Sequence, residues 1–207
     1  MPSTQIYIIL QFITTADDQG FYITRDLAEI IEIAWSIVDS TTFENIKSDS
    51  ILIKPINTPI THVCTSKTTI TWDDVKNANS LTDAIEKLDN DIQEYVISKN
   101  LKPNFITFNS WDLRMKLPKD SKEKSIKLPH YLEFPRHFDI RREYLRYKDL
   151  NELEKSNNSS QSLSPSTSLF LSQIDIPTIV NHLEIDFKSS SLTSSPVEGK
   201  EDEEFHI

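Results

Sequence analysis

The chain has 207 residues, 37% of them hydrophobic, with a formal net charge of −10; that is one ordinary domain plus a polar remainder. Its single cysteine, Cys64, excludes an internal disulfide and any cysteine-cluster zinc site, and its two glycines, Gly20 and Gly199, exclude the glycine-rich phosphate loops of nucleotide-cofactor enzymes. No apolar run is long enough to span a bilayer and the N-terminus lacks the layout of a secretion signal, so a soluble protein of the cytoplasm or nucleus, without membrane association, is expected.

Gln5 to Thr15 is β-branched, aromatic and uncharged, the composition of a strand buried on both faces. A first strand of this kind sits mid-sheet and aims its C-terminal end at the site the fold carries. Ala16 to Arg25 reads as a loop, Glu29 to Asp39 as a second strand, and Ser50 to Lys54 as a third, stopped by Pro55. Three consecutive strands imply an antiparallel meander. Thr71 with Asp74, and Ser80 with Asp83, have capping-box spacing. From Leu81 onward, Ala84, Ile85, Leu88, Ile92, Tyr95 and Val96 fall on one face of a long helix that ends near Asn100.

Pro103 precedes a fourth strand, Asn104 to Phe108, which should lie parallel to the first because a helix connects them. It would bring Asn109, Ser110, Trp111 and Asp112 to the same edge as Gln11 and Ile13. Leu113 to Lys148 is charged, helical and looped, with Phe138–Ile140 as a candidate fifth strand. It carries eleven cations against five anions, a local reversal of the chain's acidity, with Tyr131, Phe134, Phe138, Tyr144 and Tyr147 interleaved. Positive charge with stacking faces is how single-stranded RNA is held without sequence reading; the alternative is a solvated helical face with core aromatics. Residues 156–168 are a low-complexity insertion, Asp175 to Leu183 reads as a last helix, and residues 188–207 as a Ser-rich, acidic disordered tail. The folded domain is thus expected over residues 1–187.

Meander, helix and parallel strand follow the ribonuclease H-like plan, an α/β fold whose mixed sheet runs 3-2-1-4, with the fifth strand outside, flanked by helices. The motifs resemble the DEDDh 3′–5′ exonucleases, in the branch of the histone-mRNA and RNA-interference-linked RNA exonucleases. Tyr7 to Thr15 is similar to that family's first motif strand, apolar residues followed by Asp-Phe-Glu-Ala-Thr; Glu29 to Ala34 resembles its second strand. Cys64 with Thr69 to Val75 is similar to its Cys…Leu-Thr-Gly-Ile-Thr segment, and Phe108 to Leu113 to the motif ending Trp-Asp.

The resemblance implies two divalent ions, Mg2+ or Mn2+, held by four carboxylates, with a histidine as base. Matched by position, Gln11 and Ile13 occupy two of the acid positions and Asp112 is the only retained motif carboxylate. The closing His-x-x-x-x-Asp is not found: His62, His130, His137 and His182 are followed five positions on by Lys67, Pro135, Arg142 and Phe187. The C-terminal part is therefore expected to be incomplete, and the sequence leaves open whether the chain is a complete product or a truncated reading frame. One carboxylate cannot hold two hard cations, so no metal or cofactor is expected. The reading is an RNA-binding pseudo-exonuclease using Trp111, Arg114, Lys116, Arg141, Arg142 and Arg146. Its alternatives are an active metal-dependent 3′–5′ RNA exonuclease and a protein-interaction subunit, with a protein partner or a homodimer covering apolar surface on strands one and four.

Overall fold

The computed structural model describes residues 5–17 and 22–156. Five strands, β1 (Ile6–Thr14), β2 (Ile30–Asp39), β3 (Asn45–Leu52), β4 (Pro103–Thr107) and β5 (His137–Asp139), form one sheet in the order β3-β2-β1-β4-β5. The meander β1-β2-β3 is antiparallel, β4 runs parallel to β1, and β5 runs parallel to β4. The expected order, including the fifth strand, is the one observed.

β1 shows why this sheet has one core face. Ile6, Ile8 and Leu10 are buried, while Ile9 and Gln11, pointing the other way, are exposed. The buried set meets Ile33, Trp35 and Ile37 of β2, Phe105 of β4, and Leu81, Ala84, Ile85, Leu88 and Ile92 of helix α3 (Leu81–Tyr95). Ser80 and Asp83 close the predicted capping box on α3, and Thr71 and Asp74 close one on the short α2 (Trp72–Val75). On the opposite face, Ile9 lies beside Ile106 and Ile106 beside Phe138; Ile9 and Phe138 stay 43% and 46% exposed. The expected last helix, Asp175 to Leu183, the tail and most of the low-complexity insertion lie outside the described residues.

Two expectations are corrected. The third strand starts at Asn45, not Ser50, and leaves the β2 ladder at Leu52. It is an edge strand with a polar surface, held by ladder bonds and by contacts such as Ser36 Oγ to Ser48 Oγ at 2.7 Å, so no apolar alternation announces it. Helix α1 (His62–Thr68) was not foreseen. Thr61 caps it, its side chain accepting from the Cys64 N–H at 3.1 Å, but Cys64 is its only buried residue, so it has no helical stripe.

The charged segment resolves into a π-helical turn (Asp112–Lys116), α4 (Leu117–Glu123), α5 (His130–Glu133) and α6 (Ile140–Ser156). β5 stops one residue earlier than expected because the Asp139 carboxylate accepts from the Arg141 N–H at 3.1 Å and turns the chain into α6. Among the described residues no helix is long and apolar enough to cross a membrane.

At the start of β2, Glu29 clamps three segments together. Its carboxylate accepts from the backbone N–H groups of Ile56, Asn57 and Thr58 at 3.1, 2.7 and 2.7 Å, and pairs with Lys124 at 2.9 Å. Burial alone would push this carboxyl up, but Lys124 and the N–H groups of Ile56 and Asn57 together bring it down from 4.5 to about 2. A depression of that size stabilises the fold by about 3 kcal/mol. That stability is fully present above pH 4.5 and is lost as the pH falls toward 2, roughly 2 kcal/mol of it by pH 3. Urea unfolding at pH 7 and pH 3 should show the loss, and Glu29→Gln should be weaker at pH 7 with a flatter pH profile. An unchanged profile in the variant would assign the acid sensitivity elsewhere.

Candidate nucleic-acid site

The parallel strands deliver the site. Beyond β4, Asn109 Oδ1 accepts from the Trp111 N–H at 3.2 Å and from Arg141 Nη2 at 2.8 Å. Beyond β5, Asp139 Oδ2 accepts from the Ser110 N–H at 2.9 Å, and Arg141 Nε lies 3.8 Å from Oδ1 of the same carboxylate. The two strand ends are thereby tied into one edge, with the Arg141 guanidinium 5.4 Å from the Phe108 ring centre.

Trp111 leads into the π-helical turn, and Asp112 opens it. Arg25, from the loop before β2, places its guanidinium 3.9 Å over the Trp111 ring, with Nη2 3.6 Å from Asp112 Oδ1. Burial pushes the Asp112 carboxyl above its ordinary range, against the opposing pull of Arg25, Arg141 and Lys116. The structure thus brings Trp111, Asp112 and Arg141 together and adds Arg25, which the sequence reading had left in a loop. Nothing in the sequence near Arg25 pointed to it, since its partners stand far along the chain.

The residues present do not fit a two-metal centre. Gln11 is exposed on β1, two residues beyond its last pairing with β4. Ile13, which the resemblance sets at an acid position, packs against the small core of Ile31, Cys64, Ile70 and Val75. The nearby acids that might have substituted are engaged: Asp17 accepts from the N–H groups of Tyr22 and Ile23 at 2.7 and 3.0 Å, and Asp139 holds Ser110 and Arg141. Asp18 and Asp186 lie outside the described residues. Among the described residues no group of three or more histidine, cysteine or acidic side chains could hold a metal ion.

Of the basic candidates, Arg114, Arg142 and Arg146 are exposed, Arg146 pairing with Glu143 at 2.9 Å. Lys116 is not available to a ligand: it is 1% exposed, its Nζ 2.7 Å from Asp120. An i,i+4 pair with a buried acid turned this cation inward. The aromatics divide as well. Tyr144 is buried and Tyr131 stacks on Phe105 and donates to Asp89, whereas Phe134, Phe138 and Tyr147 are exposed.

The family model for Exonuclease (RNase T) matches residues 14–158. The chain belongs to this exonuclease family. The match begins at Thr14 and so does not reach Gln11 or Ile13. The RNA-binding protein Dri1 of Schizosaccharomyces pombe, described as involved in heterochromatin assembly, is 36% identical over 141 residues. Those residues are 68% of this chain and 22% of Dri1, so the chain spans about a fifth of that relative's length. A 3′-exonuclease that recognises the 3′ end of the histone mRNA stem-loop superposes with a TM-score of 0.61 at 23% identity, over 71% of this chain and 50% of the other. The nuclease domain of 3′hExo, a DEDDh family member bound to rAMP, gives 0.58 at 23% identity over 72% of each chain. Cell-death related nuclease 4 gives 0.54 at 19% identity, over 79% of this chain and 52% of the other. The ribonuclease H-like exonuclease fold expected from the sequence is the fold of this chain.

Proposed function

We propose that this exonuclease-family chain binds single-stranded RNA and does not cleave it. The observation that carries the reading is the group facing Asp112: a guanidinium, that of Arg25, stands 3.6 Å away where the family's chemistry calls for metal ions shared among carboxylates. Ile13, partly buried against a small core, and the exposed neutral Gln11 support it. Exposed Arg114, Arg142 and Arg146 supply backbone contacts that need no metal, and Trp111 supplies a stacking face. The relationship to Dri1, an RNA-binding protein described as involved in heterochromatin assembly, supports RNA as the ligand class and a nuclear place of work.

Titration of a labelled ten-nucleotide RNA at 50 and 200 mM salt tests the reading. Each phosphate contact to a single strand contributes a slope of about −0.7, so three or four contacts predict roughly 20- to 50-fold weaker binding at the higher salt. Absent or salt-insensitive binding would remove it.

A further inference from the structure

Resting on the RNA-binding reading, we propose that Arg25 and Arg141 form a metal-independent clamp for the terminal phosphomonoester of a single-stranded RNA, with Trp111 stacking on the adjoining base. The two guanidiniums come from separate segments, the loop before β2 and the start of α6, and converge on the stretch from Asn109 to Asp112. Arg141 is pre-oriented by Asn109 at 2.8 Å and by Asp139 at 3.8 Å. Arg25 is held more loosely: its ion pair is 3.6 Å long, beyond hydrogen-bond distance, and its side chain is 50% exposed. A phosphate group offers a guanidinium two oxygens in the plane of its fork, a better partner than this single long contact.

The charges leave room for an anion. Arg25 meets Asp112 at 3.6 Å and Arg141 Nε meets Asp139 at 3.8 Å, both longer than a hydrogen bond, so these ion pairs leave each guanidinium able to gain from a closer anion. A terminal monoester carries about −1.5 to −2 charges at neutral pH and three acceptor oxygens, whereas an internal diester carries a single charge. The clamp therefore prefers a phosphorylated end. As the phosphate draws the Arg25 guanidinium away from Asp112, the half-buried Trp111 ring becomes available to a base.

The experiment compares three ten-nucleotide RNAs of one sequence, with a 3′-phosphate, a 5′-phosphate or hydroxyls at both ends, by anisotropy in EDTA and in Mg2+. The expected result is roughly tenfold tighter binding of one phosphorylated RNA, equal in both buffers; which RNA it is identifies the end that enters. Arg25→Lys and Arg141→Lys keep the charge but lose the fork, and should bring the ratio of affinities toward one, as should the alanine variants. Equal affinity for all three RNAs overturns the clamp and leaves the RNA-binding reading standing. A preference seen only with Mg2+, or one untouched by the four variants, overturns it too. Failure to bind any of the RNAs removes both.

Discussion

An end-labelled single-stranded RNA incubated with excess protein in Mg2+ or Mn2+ is expected to stay full length, and Asp112→Ala is expected to change nothing. Two-metal phosphodiester hydrolysis needs one ion to generate the nucleophile and another to steady the leaving oxygen. Each such contribution is worth several kcal/mol, and each 1.4 kcal/mol is about tenfold in rate, so an edge without either ion would lose many orders of magnitude. Restoring acids is not symmetrical here. Gln11→Asp places a carboxylate on an exposed position and should fold normally, whereas Ile13→Glu drives a charge against Ile31, Cys64 and Val75 and should destabilise the domain. Laddering from the 3′ end by the unmutated chain, abolished by Asp112→Ala, would mean that other carboxylates complete the site.

What could be read from the sequence was whatever repeats with a period. The run of apolar residues in β1 and the stripe from Leu81 to Ile92 in α3 each have one buried face, and a buried face writes itself into the order of residues. β3 has no such pattern because its Asn45, Ser48 and Asp49 face water and one another's polar partners; α1 has none because it buries only Cys64. The site divides in the same way. Trp111 and Asp112 follow directly from a strand that could be placed, so their position at the edge was legible; Arg141 was legible only as one cation of the basic segment, and its tie to Asn109 emerged from the structure. Arg25 reaches that edge from a loop whose path depends on Asp17 accepting from Tyr22 and Ile23, a contact with no sequence period. The resemblance sets Ile13 at an acid position, but the second small core that it packs against appeared only in three dimensions. Lys116 shows the opposite failure: a charge count registers a cation without registering that it is buried against Asp120.

That buried pair should give the largest stability effect of any single substitution considered. Asp120 Oδ2 accepts from the Ile30 N–H at 2.9 Å, while Oδ1 lies 2.7 Å from Lys116 Nζ, and both side chains are 1% exposed. The carboxylate thus joins α4 to the first residue of β2 and neutralises a cation that is buried away from the surface. Asp120→Ala strands the ammonium and orphans the Ile30 donor, and breaking a buried pair from one side typically costs about 3–5 kcal/mol, a large part of the roughly 5–15 kcal/mol that holds a domain together. Lys116→Met combined with Asp120→Asn removes both charges yet keeps an acceptor for Ile30, so the double variant should recover most of the loss in urea unfolding. Because Lys116 closes the π-helical turn that Asp112 opens, Asp120→Ala should also loosen the Asp112 end of the site and weaken RNA binding, an effect the double variant should largely reverse. An Asp120→Ala protein within about 1 kcal/mol of the parent, below the range for a broken buried pair, would mean that water reaches Lys116 and that the turn is held by its apolar contacts alone.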